Sequence, residues 1–145
     1  MKTTEIQAEC FTEKIPKLTE ENCISEAVEI MKKEKWEFLP VVDKNDTLVG
    51  SVTEYDLIKL VKQEPTPMAG SFWTDSVEKS QGEKKIREIM STKTVSVLSS
   101  DSVDSVLKTM SSNSAYILPV VDRDGKFLGI IRMSTIFRKL LKEGE

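Results

Sequence analysis

The sequence predicts an α/β (α+β) protein in which one β-α-β-β-α unit is used twice, on three observations. These are an internal repeat, helical periodicity at matching places in both copies, and paired β-branched runs each followed by turn residues. Sliding the 145-residue chain against itself by 79 residues sets Leu39-Pro40-Val41-Val42-Asp43 on Leu118-Pro119-Val120-Val121-Asp122, and Gly50 on Gly129, without a gap. Apolar positions coincide as well: Leu18 with Val97, Ile24 with Val103, Val28 with Leu107, Met31 with Met110 and Val52 with Ile131.

Each copy opens on a short strand, predicted near Ile15 to Leu18 in the first. Positions 24, 27, 28 and 31, and their partners 103, 106, 107 and 110, follow the i, i+3, i+4, i+7 rule of an amphipathic helix. Asn22 or Ser25 in the first copy and Asp101 or Ser102 in the second suit its N-cap. Phe38 to Val42 is a β-branched run short enough for a buried strand. The turn residues Asp43 to Asp46 and Asp122 to Gly125 separate it from Leu48 to Thr53 and Phe127 to Arg132, giving a hairpin per copy. Closing helices are predicted from about Glu54 to Lys62 and Ser134 to Lys142. Residues 1–62 form the first repeat and 84–145 the second. Residues 63–83, broken by Pro65, Pro67, Gly70 and Gly82, connect them. A unit of about 50 residues is marginal alone, so the two are expected to stack and bury their apolar faces together. Met68, Phe72 and Trp73 are expected to pack over the module, contact a partner or cover a cleft.

Composition narrows the chemistry. The chain has no histidine, which excludes Ser-His and Cys-His nucleophiles and mixed Cys/His zinc sites. Cys10 and Cys23 stand in no metal-binding spacing and read as reduced thiols. With 24 acidic against 21 basic residues the net charge is −3. Nucleic acid is therefore not favoured as a partner, with only Lys84, Lys85 and Arg87 as scattered basic support. No apolar run approaches the roughly 18 residues of a membrane span, and the first residues lack the apolar stretch of a secretory signal. The expectation is a cytoplasmic protein with no membrane partner. No P-loop, GxGxxG, HExxH or spaced carboxylate pair is present, so an enzyme is not predicted.

One stretch carries candidate chemistry: Gly50-Ser51-Val52-Thr53-Glu54-Tyr55-Asp56, at the end of a strand and the start of a helix. A carboxylate is acceptor-only and can take two hydrogen-bond donors at once, a capacity that Asp56 brings to the helix start. Thr53 would sit where free backbone N–H groups favour a phosphate. The same Thr-x-x-Asp spacing is also that of a capping box, which stabilises a helix start with no ligand. The two readings are compatible. In the second copy Arg132 replaces the hydroxyl residue and Thr135 the carboxylate, so that copy lacks the charge-assisted acceptor.

The repeated helix, LPVVD, turn and LVGSVTEYDLI resemble the cystathionine-β-synthase (CBS) domain, and two ordered copies resemble a CBS pair. The resemblance implies pseudo-twofold packing of the two repeats and clefts that bind AMP, ADP, ATP or S-adenosylmethionine, with no cofactor required. GSVTEYD matches the family's ribose-binding signature, which implies that Asp56 takes both hydroxyls of a ribose cis-diol and that the second copy, with Thr135 in that place, binds ribose more weakly or not at all. Carried over by position, Asp56 would work with Thr53, Tyr55, Thr94, Val95, Ala115, Tyr116 and Ile117, with Ala115 and Tyr116 as apolar and aromatic walls for a purine. Arg132 would either meet the phosphates of that nucleotide or stand as a solvated surface residue. Pro16, Trp36, Glu37 and Phe38 would be the equivalents in the second cleft. The function implied is a regulatory module that senses an adenosyl compound. The alternative is a ligand-free scaffold acting through homodimerisation and an effector protein.

Overall fold

The computed structural model describes residues 5–60 and 82–143. Most of the connecting segment, with Met68, Phe72 and Trp73, therefore lies outside the described residues, as do Val61 and Lys62 at the end of the expected first closing helix. Elements follow in the order β1 (Leu18–Thr19), α1 (Ile24–Glu34), β2 (Phe38–Val42), β3 (Leu48–Thr53), α2 (Glu54–Ile58), β4 (Val97–Leu98), α3 (Val103–Asn113), β5 (Ile117–Val121), β6 (Phe127–Arg132) and α4 (Met133–Glu143). The fold is mixed α/β, with two three-stranded sheets ordered β1-β2-β3 and β4-β5-β6. In each, the short first strand pairs parallel to the LPVV strand, through Leu18 with Val41 and Val97 with Val120. β5 and β6 pair antiparallel. No described helix is long and apolar enough to cross a membrane.

Three local expectations are corrected. The first strand is Leu18–Thr19, not the stretch from Ile15, because only Leu18 and Thr19 are in register with β2. Cys23, not Asn22 or Ser25, is the N-cap of α1 and makes no side-chain cap bond. The Asn22 carboxamide instead accepts from the Thr19 N–H (2.7 Å) and donates to Glu26, bracing the turn before the helix. In the second copy Ser102 caps α3 as expected, accepting from the Ser105 N–H at 3.1 Å. The last helix starts one residue earlier than expected, at Met133.

The repeat extends to backbone conformation. Lys35 and Ser114, 79 residues apart, both end their helices in the left-handed region. Asp46 and Gly125, again 79 apart, both take positive φ in their hairpin turns, Asp being one of the few side chains that tolerate it.

The chain forms two compact units, and neither is one contiguous half. The first comprises Met1–Ile15, Asn45–Leu48 and Val95–Glu145; the second comprises Pro16–Lys44 and Val49–Thr94. In the first unit a 3-10 turn, Ala8–Phe11, inserts Ile6, Ala8 and Phe11 into a core of Val97, Val103, Val106, Met110, Leu118, Val120, Ile131 and Ile136. In the second unit a 3-10 turn at Ile86–Glu88 does the corresponding work. Ile86 is fully buried, and its N–H donates to the Asn22 carbonyl at 2.8 Å. Leu18, Ile24, Ala27, Leu39, Val41, Val52 and Leu57 are among the other buried residues of that unit. On the surface, Lys85 and Arg87 both pair with Glu21. Each unit is thus completed by the segment that precedes the other repeat's first strand.

The repeated glycines make that completion possible. Ser91 exchanges backbone hydrogen bonds with Ser51 (3.0 and 2.9 Å), and Glu13 exchanges them with Ile130 (2.8 and 2.9 Å). A Cβ on Gly50 would lie 2.5 Å from the Ser91 carbonyl oxygen, and one on Gly129 2.5 Å from that of Glu13. Only glycine admits so close a backbone.

Candidate functional site

Thr53 ends β3 in extended conformation and caps α2, where Asp56 stands in the first turn. Asp56 is buried, its side chain 9% exposed. Its Oδ2 accepts from the Thr53 N–H at 2.9 Å and from the Thr53 hydroxyl at 3.3 Å. Its Oδ1 has Lys59 Nζ at 3.5 Å, on a side chain that is largely exposed. The capping box anticipated from the spacing is therefore formed. It commits one carboxylate oxygen and leaves the other facing the ammonium of a largely exposed lysine. An ionised carboxylate offers roughly four acceptor positions, so Oδ1 retains the capacity to take hydroxyl donors.

Ser51 lies two residues before Thr53 on β3, on the same face of the strand. It is 5% exposed, and its hydroxyl meets the Thr94 hydroxyl at 2.8 Å, while Thr94 also donates to the Ser91 carbonyl at 3.4 Å. Thr94 is thereby brought to the side of β3 that carries Thr53. Ser51 was not singled out by sequence reasoning. The available signal was a hydroxyl inside an otherwise apolar buried strand, which must find a partner. Tyr55 projects from the first turn of α2 and is 81% exposed.

The remaining expected site residues, Val95, Ala115, Tyr116, Ile117 and Arg132, belong to the other compact unit. Val95 and Tyr116 are exposed, Ala115 and Ile117 half-buried. Ile117 is in register opposite Arg132, and the Tyr116 carbonyl accepts the Met133 N–H at 2.9 Å, so Tyr116, Ile117 and Arg132 stand at the β6–α4 junction. There Arg132 grips Glu13 with both arms of its guanidinium, Nε to Oε2 at 2.9 Å and Nη2 to Oε1 at 2.6 Å. The buried Thr135, at the position equivalent to Asp56, donates its hydroxyl to the same Oε2 at 2.9 Å. Glu13 was missed because it is one acidic residue among 24 and its partners are 119 and 122 positions away.

The hydrogen bond from Arg132 holds the Glu13 carboxyl below the usual carboxylate range, outweighing the upward push of burial, with Thr135 and the charges of Arg132 and Lys139 adding to the lowering. A carboxyl with a depressed folded pKa contributes stability that is present above its unfolded value and lost as pH falls through the folded one. Wild-type protein is therefore expected to be more stable than Glu13→Gln at neutral pH, with the gap closing below about pH 4.5. Urea midpoints of the two proteins between neutral and acid pH check this; a gap independent of pH contradicts it.

Among the described residues no group of three or more His, Cys, Asp or Glu side chains is placed to hold a metal ion. A family model described as the CBS domain matches residues 9–63 and 86–142. The chain is 30% identical over 133 residues to the chloroplastic CBS domain-containing protein CBSX2 of Arabidopsis thaliana, covering 82% of this chain and 56% of that protein. The chain thus spans little more than half of that relative's length. A crystal structure of CBSX2 in complex with AMP superposes with a TM-score of 0.77 at 22% identity, covering 97% of this chain and 99% of that one. The CBS domain pair of protein MJ0100, in complex with 5'-methylthioadenosine and S-adenosyl-L-methionine, superposes with a TM-score of 0.69 at 27% identity, covering 94% and 97%.

Proposed function

The chain belongs to the CBS-domain family, and from that membership we propose that it is a regulatory module binding an adenine nucleotide or other adenosyl compound through Asp56. The observation that carries the proposal is the state of that carboxylate: buried, anchored by Thr53 through Oδ2, and facing at Oδ1 one exchangeable donor, the ammonium of the largely exposed Lys59. A vicinal diol supplies two such donors. Thr53 and Thr94 would add hydroxyls beside it, and Tyr55 an exposed ring to flank the sugar. Support for the ligand class comes from the MJ0100 pair, similar to this chain and bound to two adenosyl compounds. No cofactor is part of the proposal, and regulation implies an effector protein.

The test is calorimetry of the whole protein against AMP, ADP, ATP, S-adenosylmethionine and 5'-methylthioadenosine. Saturable heat from at least one is expected, with thermal stabilisation of about 2.7 kcal/mol at 100 times its dissociation constant. Silence across the panel overturns the reading. A second reading, an interaction module that homodimerises without ligand, is favoured by Phe137 and Leu141. They stand exposed at i, i+4 on one face of α4. Sedimentation equilibrium of Leu141→Glu against wild type tests it, a dimer lost in the variant being the expected result.

A further inference from the structure

We propose that Glu13 is a built-in occupant of the β6–α4 junction: its carboxylate fills an anion site formed by Arg132 and Thr135 and so keeps the second repeat closed to anionic ligands. The inference goes beyond the assignment of Asp56 and does not depend on it. Arg132 and Thr135 stand 79 residues after Thr53 and Asp56, so the same strand-to-helix junction occurs twice. In the first repeat the junction carries its own carboxylate. In the second the carboxylate arrives from 119 residues away, on a segment pinned by the paired backbone bonds of Glu13 and Ile130.

Acceptor capacity separates the two junctions. Glu13 receives two bonds from the Arg132 fork and one from Thr135, three of roughly four acceptor positions. It cannot also take both hydroxyls of a diol. The fork that Arg132 presents to it matches the geometry in which a guanidinium takes any carboxylate or phosphate. Removing Glu13 would leave those N–H groups and the buried Thr135 hydroxyl without the acceptor they now share. The Arg132 side chain is 36% exposed and that of Glu13 28%, so a small anion can reach the place without opening the core.

Inorganic phosphate is the probe. By calorimetry, Glu13→Ala is expected to bind phosphate at least tenfold more tightly than wild type, and Glu13→Ala combined with Arg132→Met is expected to lose that gain. Glu13→Gln keeps the volume and one acceptor; its gain is smaller and equally dependent on Arg132, which covers the case of an unfolded Glu13→Ala. Equal phosphate affinity in wild type and in whichever variant folds overturns the proposal, as does a gain that survives removal of Arg132. Failure of wild type to bind any adenosyl compound would count against the reading of Asp56 and leave this result untouched.

Discussion

Phe11→Ala lowers the free energy of unfolding by about 3–5 kcal/mol, the usual cost of emptying a large aromatic site in a packed core. Phe11 is 4% exposed and lies in the cluster built around Val97, Met110, Leu118 and Ile131, although it precedes all of them by more than 80 residues. Lys139 Nζ stands 5.1 Å from its ring centroid, and that contact is lost as well, at about 0.5–1 kcal/mol for an exposed cation. Against a total stability of about 5–15 kcal/mol for a domain, the substitution removes a large share. Guanidinium denaturation checks it. A loss under about 1 kcal/mol would mean that the 8–11 turn merely lies on the surface and that the unit folds without it. Because Glu13 is two residues further on, the same variant is expected to loosen its grip on Arg132, read as a smaller difference between neutral and acid stability.

Asp56→Ala is expected to weaken binding of the proposed adenosyl ligand by about 100-fold or more. Two hydrogen bonds to a charged acceptor at about 1.5 kcal/mol each amount to about 3 kcal/mol, and each 1.4 kcal/mol is tenfold. The substitution also removes the reach-back arm of the capping box, at a cost of about 0.5–2 kcal/mol of stability. Asp56→Asn separates the two roles. The amide oxygen can still accept from the Thr53 N–H, so most of the stability returns, while the charge-assisted pair does not and affinity stays low. Calorimetry beside urea denaturation reads both. Retained affinity in Asp56→Ala would sink the assignment of the diol to this carboxylate and leave Asp56 a cap alone.

Much of this chain could be read without coordinates, and the readable part has a common cause. β2 and β5 were visible as LPVV because a buried strand is a short continuous apolar run, and α1 and α3 because a half-buried helix repeats its apolar residues every three to four positions. Thr53 and Asp56 were visible because their interaction spans three residues. Asn22 was misassigned because a short polar side chain beside a helix start has several local acceptors and donors, and only geometry selects among them.

The amino-acid order by itself determined the duplicated β-α-β-β-α plan, the carboxylate in the first turn of α2 and the loss of that carboxylate in the second copy. Tertiary structure alone decided that residues 5–15 complete the unit of the second repeat, that Gly50 and Gly129 face a neighbouring backbone, and that Glu13 supplies the acid which position 135 lacks. The division follows the range of the forces. Periodicity and capping act over a few residues and leave a pattern in the chain, whereas core completion and ion pairing join segments from about 40 to more than 100 positions apart and leave none.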